Sequence, residues 1–290
     1  AYDSSVRIVG GPIGMLAKEN NDSGLEETYT PYIASIPQPN NGQGYIFRLP
    51  DGRFIIQDGG YKADDRVYKA LRNLVPDGEI TIAAWFISHP HGDHYPAFID
   101  FIKDHSYDKS ITVERLIHNY VNYEMYNITG SAGKEENGDD VLALYEAVEK
   151  YMPELPVIKA HTGQIMNFGS ATVEVLYTIE DLLPSKITNI NDSSMVIRLN
   201  MAGNSIMILA DTCYASGPIL HNMWGDHLKS DIVQMAHHSM WPSVESIYHD
   251  IQAEVILHST MYSGLKDFIK PTQKWAKVME VAFSYAKDMH

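Results

Sequence analysis

Cysteine is almost absent from this sequence. Its 290 residues include a single cysteine, Cys213, so neither a disulfide within the chain nor a cysteine-rich zinc site can form. Long apolar runs are absent as well, since no stretch approaches the roughly 18 consecutive apolar residues that indicate a membrane-spanning helix. The sequence therefore predicts no membrane span.

Positive charge is scarce. Lysine and arginine total 22 against 37 aspartates and glutamates, which gives a net charge of −15. A protein that binds long nucleic acid usually carries a basic stripe that neutralises phosphates, and none is visible here. The balance disfavours long DNA or RNA and favours a small-molecule substrate. The sequence predicts neither the oligomeric state nor the compartment, although a chain that opens on Ala1 fits an exported bacterial protein that has lost an upstream segment.

The pattern of apolar residues predicts an α/β fold. The chain is 44% hydrophobic, and "ITIAAWFI" (80–87) is a continuous apolar run, typical of a strand covered on both faces. Further strands are predicted at 45–49, 53–57, 111–118, 156–160, 171–177, 194–200, 205–210, 230–236 and 253–258. Helices are predicted at 63–74, 95–105, 139–152, 243–250 and 271–286. The strands form two groups, each followed by helices, which predicts two packed sheets with helices outside. We expect one domain over 1–290. Residues 1–44 are predicted to be an irregular N-terminal segment packed on that domain.

The segment "HPHGDH" (89–94) concentrates metal-ligand side chains directly after the apolar run. Imidazole nitrogens and carboxylate oxygens are the usual zinc ligands where cysteine is missing. Residues i and i+2 of an extended segment point to the same side, so His89 and His91 can converge on one metal. Gly92 allows a tight turn, after which Asp93 and His94 can point to a second metal.

Three later strands also end in ligand-type residues. "SIMILADT" ends in Asp211, "DIVQMAHHS" in His237 and His238, and "EVILHS" in His258. A carboxylate at Asp211 could bridge two metals, or it could instead cap a following helix. His237 and His258 could bind metal or substrate, or serve as structural histidines.

These residues resemble the metallo-β-lactamase superfamily. "HPHGDH" matches its HxHxDH motif, Asp211 matches its bridging aspartate, and Asp58 matches a strand-end aspartate that supports the metal loop. The resemblance implies an αββα four-layer sandwich and a binuclear metal site. His91 stands where iron-using members have glutamate, so two Zn²⁺ ions are expected, with iron or manganese as alternatives.

One departure narrows the resemblance to a branch. The family usually has a metal-binding histidine before the aspartate strand, whereas "NINDSS" (189–194) has none. The metal domains of DNA-uptake competence proteins and the phosphorylcholine esterases share this departure and carry "HHGS" later, where this chain has "HHSM" (237–240). The implied metal ligands are His89, His91, Asp93, His94, Asp211 and His237. The residues predicted near the site, some of which could fill the gap, are Asp58, His118, His161, Asn191 and Asp192.

Two close metal ions would acidify a bound water to hydroxide and hold a substrate oxygen. We expect hydrolysis of a phosphodiester or a phosphorylcholine-type ester, with Asp93 orienting the nucleophile and His238 or His258 donating a proton. A lactonase, or another carboxylic-ester or amide hydrolase, is the alternative enzyme. A metal-binding module without catalysis is the alternative of another class. A choline group could be held by aromatic faces such as Trp85, Trp241, Tyr214, Tyr262 or the tyrosines at 120, 123 and 126.

Overall fold

The computed structural model describes residues 6–8, 26–38, 41–62, 65–121, 128–129, 135–136, 139–179, 189–259, 270 and 275–290. The chain divides into two compact units. Unit 1 comprises Ala1–Gly24, His161–Leu182 and Asn191–His290, and unit 2 comprises Leu25–Ala160 and Leu183–Ile190. The expectation of a single domain stays a prediction.

The described part of the chain contains both α-helices and β-strands, as the sequence predicts. The strands are β1 Val6–Ile8, β2 Tyr32–Ser35, β3 Gly44–Arg48, β4 Phe54–Asp58, β5 Ile80–Ile87, β6 Ile111–Val113, β7 Leu116–His118, β8 Ile128–Thr129, β9 Glu135–Glu136, β10 Val157–Lys159, β11 Gln164–Phe168, β12 Ala171–Tyr177, β13 Val196–Met201, β14 Asn204–Ile208, β15 Ile232–Gln234, β16 Val255–Leu257 and β17 Asp288–Met289. The α-helices are α1 Arg66–Leu74, α2 Pro96–His105, α3 Asp139–Tyr151, α4 Ser216–Trp224, α5 Glu245–Ile251 and α6 Ala276–Tyr285. Short 3-10 helices cover Ile190–Ser193, Gly225–Leu228 and His237–Ser239.

The main sheet of unit 2 has the order β10-β7-β5-β4-β3-β2, with β6 beside β5. Strands β3 and β4 correspond to the strands predicted at 45–49 and 53–57 and pair antiparallel, while β4, β5, β7 and β10 run parallel. Ile87 pairs with His118, and His118 pairs with Lys159, so these residues form one row at the carboxyl edge. Since β5 is almost completely buried, as its apolar run predicts, it fixes the loop that follows it in a rigid frame.

The sheet of unit 1 has the order β1-β11-β12-β13-β14-β15-β16-β17. Strands β14, β15 and β16 run parallel, and Ile208, Gln234 and Leu257 form one row across them. The carboxyl ends of parallel strands meet at one edge of a sheet. The segments that carry Asp211, His237 and His258 therefore leave this sheet side by side.

Strand β11 and helix α4 are among the elements of unit 1 that the sequence does not predict. Strand β11, "QIMNF", mixes polar with apolar residues although all five are buried, so its sequence lacks an alternating pattern. Helix α4, "SGPILHNMW", contains Gly217 and Pro218, which suggest a turn. Proline is tolerated there because it lies in the first turn, where its missing N–H has no partner to lose.

Three other expectations meet the structure in different ways. The strand predicted at 111–118 is interrupted between β6 and β7, and two short strands, β1 and β2, lie within residues 1–44. The last helix begins at Ala276, while Pro271, the predicted start, lies outside the described residues, as do the tyrosines at 123 and 126. Within the described ranges, none of the helices has the length and apolar character needed to cross a membrane.

Candidate functional site

The loop after β5 brings the first two histidines of unit 2 together. His89 is fully buried and His91 is partly buried. His89 Nε2 lies 3.1 Å from His91 Nδ1, so the two rings direct nitrogens to the same point. The turn does not require glycine, because Gly92 has no left-handed φ and a Cβ there would meet nothing within 4 Å. The pairing of His89 with His91 follows the i, i+2 geometry of the sequence.

Asp93 and His94 form a second pair on the same loop. His94 is fully buried, and its Nε2 lies 3.8 Å from Asp93 Oδ1. Backbone bonds hold both residues, since Gln43 N donates to Asp93 O and Gly60 N donates to His94 O. The loop therefore offers two neighbouring pairs of ligand atoms, each pair within 4.8 Å.

Asp58, the last residue of β4, holds this loop in place through hydrogen bonds. Its fully buried carboxylate accepts hydrogen bonds from Ser88 N at 2.8 Å and Ser88 Oγ at 2.9 Å, and lies 2.8 Å from His94 Nδ1. A carboxylate at Nδ1 favours a proton on that nitrogen, which leaves Nε2 with the lone pair that a metal needs. Ser88 also contacts His89 Nδ1 at 3.0 Å, so one buried aspartate and one serine orient two of the histidines.

In unit 1, Asp211 lies beside His238. The Asp211 side chain is buried just past β14, and its backbone N donates to Ser194 Oγ. Its Oδ2 lies 3.3 Å from His238 Nε2 and 3.7 Å from His237 Nε2. His238 Nδ1 lies 3.3 Å from Ser259 Oγ, which directs Nε2 toward the aspartate.

His237 is engaged differently from its neighbour. Its Nδ1 lies 3.1 Å from Cys213 Sγ, and its Nε2 lies 3.3 Å from Asn191 Nδ2. Both ring nitrogens thus contact protein groups other than Asp211. This geometry favours His238 over His237 as the histidine ligand of unit 1, the reverse of the order that the resemblance implies.

The backbone that carries these histidines is strained. His237, His238 and Ser239 have φ of 49°, 53° and 63°, which places three consecutive non-glycine residues in the left-handed region. Such conformations persist where surrounding contacts hold them, and they cluster at functional sites. One such contact is Ser239 Oγ, 2.7 Å from His258 Nδ1.

His258 is neutral at neutral pH in this environment, because burial lowers its pKa to about 4. A general acid must carry its proton at the working pH. The contact with Ser239 Oγ at 2.7 Å, together with this lowered pKa, fits a positioning role for His258 better than the predicted proton donation.

The remaining predicted residues have other partners. Asp192 Oδ1 accepts hydrogen bonds from Ser216 N at 2.9 Å and Ser216 Oγ at 2.7 Å, so it caps the start of α4. His161 precedes β11, and its backbone N donates to Gln164 Oε1. His118 is buried at the end of β7, where its ring contacts Tyr120 N and the Tyr145 hydroxyl.

The donor chemistry of both units fits a metal. Imidazole nitrogens and carboxylate oxygens suit zinc, iron or manganese, and buried histidines whose other nitrogen is held by a carboxylate or a hydroxyl are typical of metal ligands. Unit 2 supplies His89, His91, Asp93 and His94, and unit 1 supplies Asp211 with His238 or His237. Sequence reasoning missed Ser88, Ser239 and Ser259, because no pattern distinguishes a serine that orients a histidine.

Known structures identify the fold. The metallo-β-lactamase fold protein YhfI from Bacillus subtilis matches with a TM-score of 0.52 and 16% identity over 89% of this chain and 95% of YhfI. CmlA, a diiron β-hydroxylase from Streptomyces venezuelae, matches with a TM-score of 0.52 and 12% identity over 90% of this chain. A mutant of CmlA gives a TM-score of 0.53 at 14% identity. The chain spans about half the length of CmlA, at 53%.

The chain has the metallo-β-lactamase fold, which confirms the prediction of an α/β fold of the metallo-β-lactamase type. No protein-family model matches the sequence, and no curated protein matches it either. The resemblance read from "HPHGDH" and Asp211 therefore agrees with the fold, while the branch of the superfamily stays a prediction.

Proposed function

We propose that the protein is a metal-dependent hydrolase of a phosphodiester or a phosphorylcholine-type ester. The observation that carries the proposal is the loop after β5, where His89 and His91 direct nitrogens to one point and a buried Asp58 orients His94. A buried aspartate that orients a histidine is an arrangement that metal ligands use. The ligand set of unit 1, Asp211 with His238, is proposed to bind metal as well.

The proposed metal content is two ions per chain, with zinc first. When bound, the ions supply Lewis acidity, which acidifies water and neutralises charge on a substrate oxygen. CmlA is described as a diiron protein, so iron is the first alternative, with manganese after it. His91, in the position where iron-using relatives have glutamate, supports zinc.

Each side chain then has a distinct role. Asp93, which is partly exposed beside His94, orients the attacking water. Asp58 and Ser259 hold the tautomers of His94 and His238 so that Nε2 is available. His237, between Cys213 and Asn191, holds the strained turn in place. Since His238 is the proposed metal ligand, proton donation to the leaving group is left to solvent.

The preference for a small phosphorylcholine-type ester rests on two observations, the negative net charge of the protein and an exposed aromatic surface. A net charge of −15 favours a small ester over a long polyanion. The Trp241 side chain is 43% exposed, and its ring centroid lies 4.9 Å from that of His237. An exposed tryptophan face attracts quaternary ammonium groups such as choline. Trp85 is excluded from that role, because it is fully buried and donates to Asp58 O.

The decisive experiment combines metal analysis with a substrate screen. The metal content of the purified protein is measured by elemental analysis, and hydrolysis is measured with bis-p-nitrophenyl phosphate, p-nitrophenylphosphorylcholine, a lactone and a cephalosporin. Two equivalents of metal with turnover of the phosphoesters are expected. Turnover of the lactone alone would favour the carboxylic-ester alternative, and the absence of bound metal would favour a module without catalysis.

Replacing Asp211 is the sharpest test within the chain. Asp211→Ala is expected to abolish metal binding and turnover together, because the buried carboxylate is the proposed ligand of unit 1. Asp226→Ala, at an exposed carboxylate of the same unit, is the matched control and should retain both. An Asp211→Ala protein with normal phosphodiester turnover would contradict the proposal.

A further inference from the structure

Tyr95 directly follows the ligand loop, and the ligand set does not explain its contacts. It lies between His94 and Pro96, the first residue of helix α2, and it is 5% exposed. Its hydroxyl donates a hydrogen bond of 2.5 Å to Asp140 Oδ1, in the first turn of helix α3. The end of the ligand loop is therefore tied to an element 45 residues further along the chain.

The bond between Tyr95 and Asp140 is of the strong kind. An O–H group that donates to a carboxylate forms a shorter and stronger bond than a neutral pair, with typical separations of about 2.5–2.7 Å. A negative charge in the first turn of a helix is also favoured by the helix dipole. Both features favour a bond that persists in solution.

The backbone around Tyr95 connects this bond to the second ligand pair, Asp93 and His94. Tyr95 O accepts a hydrogen bond from Phe98 N at 3.0 Å, which fixes the residue at the start of α2. A planar peptide unit joins Tyr95 to His94, so a displacement of the tyrosine is transmitted to the histidine. The hydroxyl bond therefore helps to set the position of the second ligand pair.

The first ligand pair, His89 and His91, is held from the other end of the loop. His89 follows Ser88 just past β5, and Ser88 Oγ lies 3.0 Å from His89 Nδ1. His91 N donates to His89 O at 3.0 Å, whereas the contact of Tyr95 N with His91 O is longer, at 3.4 Å. The tyrosine bond therefore acts more on the second pair than on the first.

We propose that Tyr95 is a positioning residue for the second ligand pair and that Asp140 on α3 is its anchor. The inference rests on the proposed function and deepens it, because it assigns the tyrosine bond to one of the two proposed metal ions. It also assigns a task to α3, a helix that carries none of the proposed ligands. Loss of the bond should weaken the ion held by the second pair and leave the ion held by the first pair unchanged.

The test is the affinity of the protein for Zn²⁺, measured by competition with a chromophoric chelator that resolves two equivalents. Tyr95→Phe, which removes only the hydroxyl, is expected to weaken one equivalent by about tenfold, as for residues that orient ligands, and to leave the other unchanged. Equal weakening of both equivalents, or no weakening, would overturn the proposal.

Tyr285→Phe is the matched control. It also removes a tyrosine hydroxyl that joins two helices, since Tyr285 OH on α6 lies 3.1 Å from His249 Nδ1 on α5. This variant should bind both equivalents like the wild type.

Variants of the ligands show which equivalent responds. His91→Ala removes a ligand of the first pair and Asp93→Ala a ligand of the second, so each is expected to leave one equivalent. Adding Tyr95→Phe should weaken the remaining ion about tenfold in the His91→Ala protein and leave it unchanged in the Asp93→Ala protein. The opposite pattern would overturn the assignment to the second pair.

Asp140 allows a test that keeps the tyrosine intact, at an exposed residue whose replacement should not disturb folding. Asp140→Ala is expected to weaken the same equivalent and to add nothing in the Tyr95→Phe background, because the aspartate acts through the hydroxyl. Asp140→Asn keeps an acceptor oxygen and should retain most of the affinity. Additive losses, which a general effect on α3 would give, would overturn the role of Asp140 as anchor.

The outcomes separate this inference from the proposed function. A wild type that binds two equivalents of Zn²⁺ but hydrolyses none of the four screened substrates would contradict the hydrolase proposal alone. Phosphoester turnover by the wild type, combined with wild-type affinity for both equivalents in Tyr95→Phe, would overturn the role of Tyr95 alone. A wild type that binds no metal would overturn both.

Discussion

The ligand sets of the two units achieve similar side-chain geometry by different means. On unit 2, four ligand-type residues follow one buried strand within six positions, and a single carboxylate, Asp58, orients the loop through Ser88 and His94. On unit 1, the residues come from separate strand ends, and the histidines lie on three consecutive left-handed residues. The first set depends on a buried hydrogen-bond acceptor, and the second depends on strained backbone held by side-chain contacts.

This difference has an energetic consequence. The buried Asp58 carboxylate has three hydrogen-bonding partners, and removing it leaves their donor groups unsatisfied. Left-handed non-glycine residues cost free energy that surrounding contacts must offset. We therefore expect unit 2 to lose most when Asp58 changes, and unit 1 to respond to small changes at His237–Ser239.

Among the changes that test the difference between the two units, the largest effect should come from replacing each of the two adjacent histidines of unit 1 by alanine. His238→Ala is expected to remove a ligand and one equivalent of metal, because His238 Nε2 lies 3.3 Å from Asp211. His237→Ala should keep both equivalents with an affinity roughly tenfold lower, as for residues that orient ligands. Elemental analysis after dialysis against a chelator measures both variants.

Each variant is the matched control of the other, since they differ by one position in the same strained turn. Loss of metal in His237→Ala with retention in His238→Ala would restore the assignment that the resemblance implies.

The next largest effect should follow from Asp58→Asn in unit 2. The amide has the same shape, but it cannot accept from Ser88 N, Ser88 Oγ and His94 together. We expect metal affinity to fall roughly 10- to 100-fold. The free energy of unfolding should fall by about 2 kcal/mol, measured in urea, because buried donors lose a charged acceptor.

Asp231 offers a matched control for that change. Its carboxylate accepts from Ser205 N at 2.7 Å and Ser205 Oγ at 2.7 Å, as Asp58 does from Ser88. Unlike Asp58, it is exposed, and no histidine among the described residues forms a hydrogen bond or ion pair with it. These hydrogen bonds lower the pKa of Asp231, so its stabilisation is present at pH 7 and is lost as the pH falls into the acid range. Asp231→Asn should leave metal binding unchanged, and an equal loss of metal in both variants would show that the Asp58 effect is unspecific.

The sequence predicts unit 2 better than unit 1, for a physical reason. The loop at 89–94 follows the long, almost completely buried strand β5, so both the strand and the ligands are visible in one short segment. In unit 1 the ligand atoms converge through long-range pairing, and β11 and α4 lack a regular pattern. Which of two adjacent histidines faces Asp211 depends on φ at 237–239, which no pattern of residue types determines.

Supporting residues are the least predictable part of the site. Asp58 is found through the resemblance, whereas Ser88, Ser239 and Ser259 contact histidines through hydrogen bonds that depend on tautomer and rotamer. His118 illustrates the limit, because its type suggests a ligand, yet both ring nitrogens have protein partners. The residue type determines which donor and acceptor atoms a side chain has, and the neighbouring groups determine which of those atoms remain available to a metal.

The smallest effect, and the finest test of the strained turn, is Ser239→Gly. Glycine relieves the left-handed conformation at φ 63° but removes the 2.7 Å contact with buried His258 Nδ1. Ala202→Gly, at φ 51° in the β13–β14 turn, relieves the same strain without removing a polar side chain. We expect Ala202→Gly to stabilise the protein by about 0.5 kcal/mol and Ser239→Gly to destabilise it by about 1 kcal/mol, since the lost hydrogen bond outweighs the relief. Urea unfolding of both variants at pH 7 measures the difference, and equal stabilisation would mean that the Ser239–His258 contact does not hold the turn.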